Sequence, residues 1–273
     1  MGERRAWDDE YTLLCERCGY VIEGLPKDGA CPECGKPIAE SLPERRVGTP
    51  WQQSRSVGNL ARTWRVSLLH PVRTLDVLAE SPLSDRRLRR WTTLAAALLL
   101  SAGWWHYGAI SVVREQPMSF VVLVALVLVC TMAVWPVLLV LTQVETWGLG
   151  VIAKTRGLRM PTNARRAITA HGCVGWLLAG AAAWLTMAGL DFLHAAVTKP
   201  YIEYDPSMTR AESFEVVFGR RTPLWLDLLS MATRLICVLA GFLFFETFAW
   251  LGLRRLKYAN RVRPADAVTP PDA

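Results

Sequence analysis

The chain is short of charge, histidine and glycine. Only 20% of its 273 residues are Asp, Glu, Lys or Arg and 52% are hydrophobic, which excludes a disordered chain. Nineteen glycines exclude a collagen-like repeat, and seven cysteines over this length exclude a disulfide-rich secreted scaffold. There are four histidines and no H-E-x-x-H motif, so the usual ligand set of a hydrolytic metal is missing. The opening MGERRAWDDE holds no apolar h-region, and no cleavable signal peptide is expected. What the chain has in abundance is apolar residues, and they come in long blocks.

A helix needs about 20 mostly apolar residues to cross a hydrocarbon core roughly 30 Å thick. Thr92–Val113, Met118–Leu141, Gly172–Val197 and Leu224–Leu253 each meet that length. The second carries no charged residue at all, whereas a helix on a soluble domain shows a polar face. Orientation follows from Lys and Arg in the short flanks. Arg86, Arg87, Arg89 and Arg90 precede the first block, Lys154, Arg156, Arg159, Arg165 and Arg166 separate the second from the third, and Arg254, Arg255, Lys257, Arg261 and Arg263 follow the fourth. The other side has Arg114 in one loop and Lys199, Arg210, Arg220 and Arg221 in the next, these offset by Glu203, Asp205, Glu212 and Glu215. Both termini are therefore expected in the cytoplasm. Trp91, Trp147, Trp176 and Trp250 fall at the inner headgroup level and Trp104, Trp105 and Trp225 near the outer one, where indoles partition. Trp135-Pro136 predicts a kink in the second span, because proline removes a backbone donor.

The most specific motif precedes the spans. Cys15-Glu16-Arg17-Cys18-Gly19 and Cys31-Pro32-Glu33-Cys34-Gly35 form two C-x-x-C-G knuckles twelve residues apart, a four-thiolate zinc spacing. Zinc accepts four thiolates tetrahedrally, and glycine after each second cysteine permits the tight turn that aims backbone N–H groups at sulfur. The link through Tyr20, Val21 and Ile22 to Gly29 reads as a strand and a turn, giving a small β ribbon. A disulfide pairing is the reading for an oxidising compartment, and a rubredoxin-like iron site shares the knuckles. Four thiolates leave no open coordination position, so one structural zinc per chain is expected, and it supplies folding energy to a segment too short for its own core. Cys130, Cys173 and Cys237 lie in or beside spans as small apolar residues. Residues 1–50 hold seven basic and ten acidic side chains, a net of −3, which opposes nucleic-acid binding and favours a protein partner.

Five segments follow: a zinc ribbon over 1–40, an irregular linker over 41–58, amphipathic helices over 59–90, the helical membrane domain over 91–255, and a disordered basic, Pro-rich tail over 256–273. In the third, Leu60, Trp64, Leu68, Val72 and Leu75 share a side, interleaved with Arg62, Arg65 and Arg73. Such a helix lies in the headgroup plane or packs on the bundle ends. The CxxCGY…CPECG ribbon joined to several spans resembles bacterial zinc-ribbon membrane proteins. Ser67-Leu68-Leu69-His70-Pro71-Val72-Arg73-Thr74-Leu75 before the first span is similar to the start of YIP-family membrane domains, over residues 60–255. That family typically has five spans and a cytoplasmic N-terminus; this chain shows four clear ones. The resemblance implies a bacterial cytoplasmic membrane, as does the bias to arginine, 26 of 31 basic residues. No functional residue is carried across from it.

Charged groups inside spans raise a functional hypothesis. Asp191 and His194 lie toward the outer end of the third span and Asp227 toward that of the fourth, with Arg234 seven residues on; Glu145, His171 and Glu246 lie near the inner ends. Asp191, Asp227, Arg234 and Glu246 either relay an ion or proton, as in a small transporter or channel, or serve as interhelical clips of about 1 kcal/mol each. Gly175, Ala179 and Ala183 at intervals of four let a helix approach closely, either Ala97 and Ser101 of the first span or a second copy in a homo-oligomer. The loop 198–222 has no Cys or His cluster and reads as a connector. The expected fold is an all-α polytopic protein of four transmembrane helices in the lipid bilayer, with a small N-terminal β zinc ribbon. The expected function is non-enzymatic: a membrane scaffold or adaptor whose ribbon binds a cytosolic or membrane protein.

Overall fold

Proline sets the start of half of the α-helices among the described residues. The computed structural model describes residues 11–79, 81–105, 117–198 and 224–261. They form α1 (Pro50–Gln53), α2 (Val57–Leu69), α3 (Pro71–Val77), α4 (Pro82–Trp105), α5 (Pro117–Thr155), α6 (Thr162–Gly172), α7 (Val174–Thr198) and α8 (Leu224–Arg255). Four begin with proline, whose fixed φ suits the first helical position and whose missing N–H is not needed there. Side chains add caps at two helices. Ser56 caps α2 by accepting from the Asn59 N–H, and Thr49 and Gln52 form a capping box on α1.

Three helical stretches, Val121–Thr155, Thr162–Leu190 and Leu228–Arg255, are long and apolar enough to cross a membrane. Only 11% of the most apolar window of the first is buried within the protein. Val121, Leu128, Met132, Val140 and Val144 are exposed along it, a surface that is stable in hydrocarbon and not in water. The chain is a membrane protein. Of the expected first span, residues 92–105 lie in α4 and residues 106–113 lie outside the described residues. The loop 199–222 and the tail from 262 also lie outside them.

The helices depart from the sequence reading in two places. The second span was expected to end at Leu141, yet α5 runs on to Thr155, with Pro136 inside it. Thr142 and Thr146 explain the extension. Each hydroxyl donates to the carbonyl four residues back, and they face Cys173 and Thr169, so this polar stretch is satisfied within the fold. Residues 41–58, expected to be an irregular linker, contain a 3-10 turn at Pro43–Arg45 and the helix α1, with Thr49 and Trp51 buried.

The chain divides into two compact units. The first comprises Met1–Thr93, Val137–Gly175 and Leu243–Ala273. Its core joins Leu75 and Leu78 to Leu149, Ala153, Ile168, Phe248 and Leu253. At Gly252 the helices α6 and α8 approach so closely that a Cβ would sit 2.6 Å from Ile168 Cγ2. A second cluster gathers Trp51, Leu88 and Ala170 with Leu60 and Trp64; Trp51 Nε1 donates to the Ser84 carbonyl and Trp64 Nε1 to Thr92 Oγ1. The amphipathic region 59–90 is thus packed on protein. On α2 the fully buried residues are Thr63 and Ser67, with Leu60, Trp64 and Leu68 only half-buried, because small side chains allow the closest approach.

The second unit comprises Leu94–Pro136 and Trp176–Phe242. Here α4 packs on α7 through small residues. A Cβ on Gly180 would meet Leu99 Cβ at 2.9 Å and the Ala96 carbonyl at 3.0 Å, and one on Gly103 would meet the Trp184 backbone at 3.3 Å. Ala97, Ser101, Ala179 and Ala183 are all buried, so the small-residue stripe is used inside the chain. Trp176, placed by the sequence at a headgroup surface, is 4% exposed and packs on Phe242 instead.

Candidate metal centre

Each knuckle is built by the same backbone pattern. Cys15 N–H donates to the Tyr20 carbonyl and Gly19 N–H to that of Cys15; sixteen residues on, Cys31 N–H donates to Lys36 and Gly35 N–H to Cys31. Gly19 and Gly35 adopt φ of +80° and +71°, the left-handed conformation that glycine enters without penalty. The expected β ribbon is reduced to two antiparallel bridges, Leu14 to Val21 and Ala30 to Pro37, with no longer strand among the described residues.

The two loops face each other and bring four sulfurs together. Cys15 Sγ lies 3.5 Å from Cys34 Sγ and Cys18 Sγ 3.6 Å from Cys31 Sγ, with all four inside 4.8 Å. One metal ion can be held by all of them. Around them Ile22 and Ile38 form almost the whole core, with Leu13, Leu25 and Leu42 at its margin. With so little apolar area, a metal bound there would be a main source of the ribbon's folding energy. Burial pushes the Cys15 thiol up, but hydrogen bonds from the backbone N–H groups of Cys18 and Arg17 and from the Cys34 and Cys18 thiols together bring it down to about 7. Burial pushes Cys18 up to about 12 and also raises Cys34. Cys15 is thus ready as a thiolate, whereas Cys18 and Cys34 need a cation to hold their charge.

The structure adds what the motif does not contain, a dock. Asn260, 4% exposed, uses its whole side-chain amide. Its Oδ1 accepts from Leu14 N–H at 2.9 Å and Arg159 Nη2 at 2.7 Å, and its Nδ2 donates to the carbonyls of Leu14 at 2.7 Å and Ser41 at 2.6 Å. Arg159 Nη1 donates to the Thr12 carbonyl, and Tyr258 pairs with Arg159 in a parallel bridge. Tyr258 also covers the first knuckle: a Cβ on Gly19 would lie 2.8 Å from its Cζ. On the other side Arg46 donates to Glu16 Oε1 through both Nε and Nη2, and to the Leu75 and Leu78 carbonyls through Nη1. Residues 256–261, expected in a disordered tail, are therefore an ordered part of the ribbon's support. Asn260 stands 246 positions from Leu14, and no local pattern announces it.

The two knuckles end up in different environments. Gly19 is buried against Tyr258, whereas nothing approaches within 4 Å of a Cβ on Gly35. Around the second knuckle Pro32, Glu33, Gly35 and Pro37 are exposed, as are Tyr20 and Val21 on the neighbouring bridge.

The intramembrane charges are not gathered into one site among the described residues. Arg234 Nε lies 3.3 Å from Met187 Sδ, on the face of α8 that meets α7. Glu246 lines a cavity of about 450 Å³ with Glu145, Ile152 and Trp250. The side chains of Asp191, His194 and Asp227 lie outside the described residues. His171 is fully accounted for. Its Nδ1 meets the Ala167 carbonyl, an acceptor only, so Nδ1 carries the proton and Nε2 accepts from Thr49 Oγ1 at 3.1 Å. No protein family, characterised protein or solved structure matches the chain, so neither the YIP-like resemblance nor the bacterial source it implies gains support.

Proposed function

We propose that the protein is a non-enzymatic membrane adaptor in which one structural zinc ion closes the four-cysteine site and the second knuckle presents itself to a protein partner. The observation that carries this reading is the asymmetry of the ribbon: one knuckle is packed against Tyr258, and its twin stands open with Pro32 and Glu33 exposed. A ribbon serving only to stabilise the helices has no use for the second face. Zinc suits the donor set. With Zn–S of about 2.3 Å, tetrahedral sulfurs stand about 3.8 Å apart, near the 3.5 and 3.6 Å between the paired cysteines. Four thiolates fill the coordination shell, which leaves no position for an activated water.

On this reading α4 together with residues 106–113 forms a fourth span, and both ends of the chain lie on the cytoplasmic side with the Lys- and Arg-rich flanks. Trp91, Trp147 and Trp250, all about half exposed, mark that surface, and Arg254 stacks over Trp250 with its guanidinium carbon 3.4 Å from the ring centroid.

Two measurements test it. Metal analysis of the purified protein should give one zinc per chain, lost in Cys15→Ser/Cys31→Ser; iron in that place, or no metal, refutes the site. A photo-crosslinker at position 33 should trap a protein partner in cells, and Cys15→Ser/Cys31→Ser should abolish the capture. Should Arg234→Gln instead stop a solute flux in vesicles while zinc stays bound, the protein is a transporter and the adaptor reading fails.

A further inference from the structure

The arginines before α4's apolar stretch do more than count toward a charge flank. Arg86, Arg89 and Arg90 stand at i, i+3 and i+4, on one face of α4. The fold brings Arg166 of α6 and Gln143 of α5 to the same place, and these five side chains with Asp85 line a cavity of about 250 Å³. Asp85 is already engaged, its Oδ1 accepting from Gln52 Nε2 at 2.8 Å, and the lining keeps a net charge of +3. Arg89 is held in place by a 3.0 Å bond from Nη1 to Gln143 Oε1. Its Nε is buried with no hydrogen-bond partner among the described residues. Burial, and then the like charges of Arg166, Arg90 and Arg86, hold Arg89 below the ordinary guanidinium range; only the Cys173 thiol acts the other way.

Converging guanidiniums repel one another, and each like-charged pair spaced i, i+4 already costs a helix a few tenths of a kcal/mol. A flank that only sets orientation needs its charges near the membrane and not around a common cavity. We propose that Arg86, Arg89, Arg90 and Arg166 with Gln143 form a binding site for a phosphate group. Guanidinium forks match the oxyanion geometry, the buried Nε gains an acceptor, and the Gln143 amide can donate to a phosphate oxygen. The phosphate belongs either to an anionic lipid headgroup or to a free phosphate ion. Exposed Trp91, next to Arg90, and exposed Trp147, one turn from Gln143, are residues of the headgroup level.

The test uses delipidated full-length protein in dodecyl maltoside, with native mass spectrometry and thermal melting as readouts. One arm adds phosphatidylglycerol against an uncharged galactolipid; the other adds sodium phosphate against sodium chloride at equal ionic strength. Wild type should retain phosphatidylglycerol and melt higher with it, and Arg89→Gln/Arg166→Gln should bind it about tenfold or more weakly. Arg86→Gln/Arg90→Gln, at exposed positions, should show the same loss while the ligand-free protein melts no lower than wild type, since a like-charged pair is removed; Arg62→Gln/Arg65→Gln on α2 should bind as wild type. The same arginine-dependent response to phosphate alone, without the lipid, assigns the site to the free ion. Retention of both ligands by the two double variants, or binding of neither by wild type, overturns the proposal.

Discussion

The dock between ribbon and helices stands or falls on Asn260, and Asn260→Ala is the variant that tests it. The amide makes four hydrogen bonds, to Leu14 N–H, the Leu14 and Ser41 carbonyls and Arg159 Nη2. Arg159 keeps its bond to the Thr12 carbonyl, so its loss is partial. The three backbone groups of Leu14 and Ser41 lose their partner in a pocket where the asparagine is 4% exposed. At about 1 kcal/mol net for each bond, the docked state is weakened by about 3–4 kcal/mol, which raises the open population a few hundredfold. Hydrogen exchange with mass detection on detergent-purified protein reads this directly. Peptides covering residues 41–49 and 256–261 should exchange a few hundredfold faster, while α5 and α7 stay protected and the metal content is unchanged. Asn260→Asp is the isosteric check: it turns an oxygen toward the two carbonyls and should also open the dock, although its charge faces Arg159. If both variants leave these peptides as protected as in wild type, the ribbon is not held by this side chain and the packing argument is wrong.

Gly252→Val should destabilise the protein by about 1–3 kcal/mol through overpacking against Ile168, seen as a lower melting temperature, and Ile168→Ala should restore part of the loss in the double variant. Thr49→Val keeps the shape but strips His171 Nε2 of its donor, so a loss of about 1–3 kcal/mol is expected in thermal melts, with metal content unchanged. Gly19→Ala and Gly35→Ala share the cost of the left-handed backbone, about 1–2 kcal/mol, but only Gly19→Ala also collides with Tyr258; its excess destabilisation should disappear in Tyr258→Ala. Chelation of the metal should remove exchange protection from residues 13–38 and leave α5 and α8 protected, since the ribbon's own core is little more than Ile22 and Ile38.

The four-cysteine cluster was legible in the sequence because its determinants are local. Two cysteines two apart and a glycine that can turn left-handed impose each knuckle, and only the short link must bring the two together. The apolar blocks were legible for the same reason, since hydrocarbon demands that a spanning segment satisfy its own backbone and hide its polar groups, residue by residue along the chain. Where satisfaction came from another helix, the one-dimensional reading stopped short: the second span was ended at Leu141, just before Thr142 and Thr146, and Trp176 looked interfacial until Phe242 covered it. Two things were decided by tertiary structure alone. One is the support of the ribbon, because a lone asparagine or arginine carries no signal until the fold sets Asn260 and Arg159 beside Leu14. The other is the arginine cavity, where a flank counted as four separate charges becomes a site only when α5 and α6 bring Gln143 and Arg166 against one face of α4. Spacing along a chain specifies what a helix or a knuckle will be; which buried polar groups complete one another depends on distances that only packing sets.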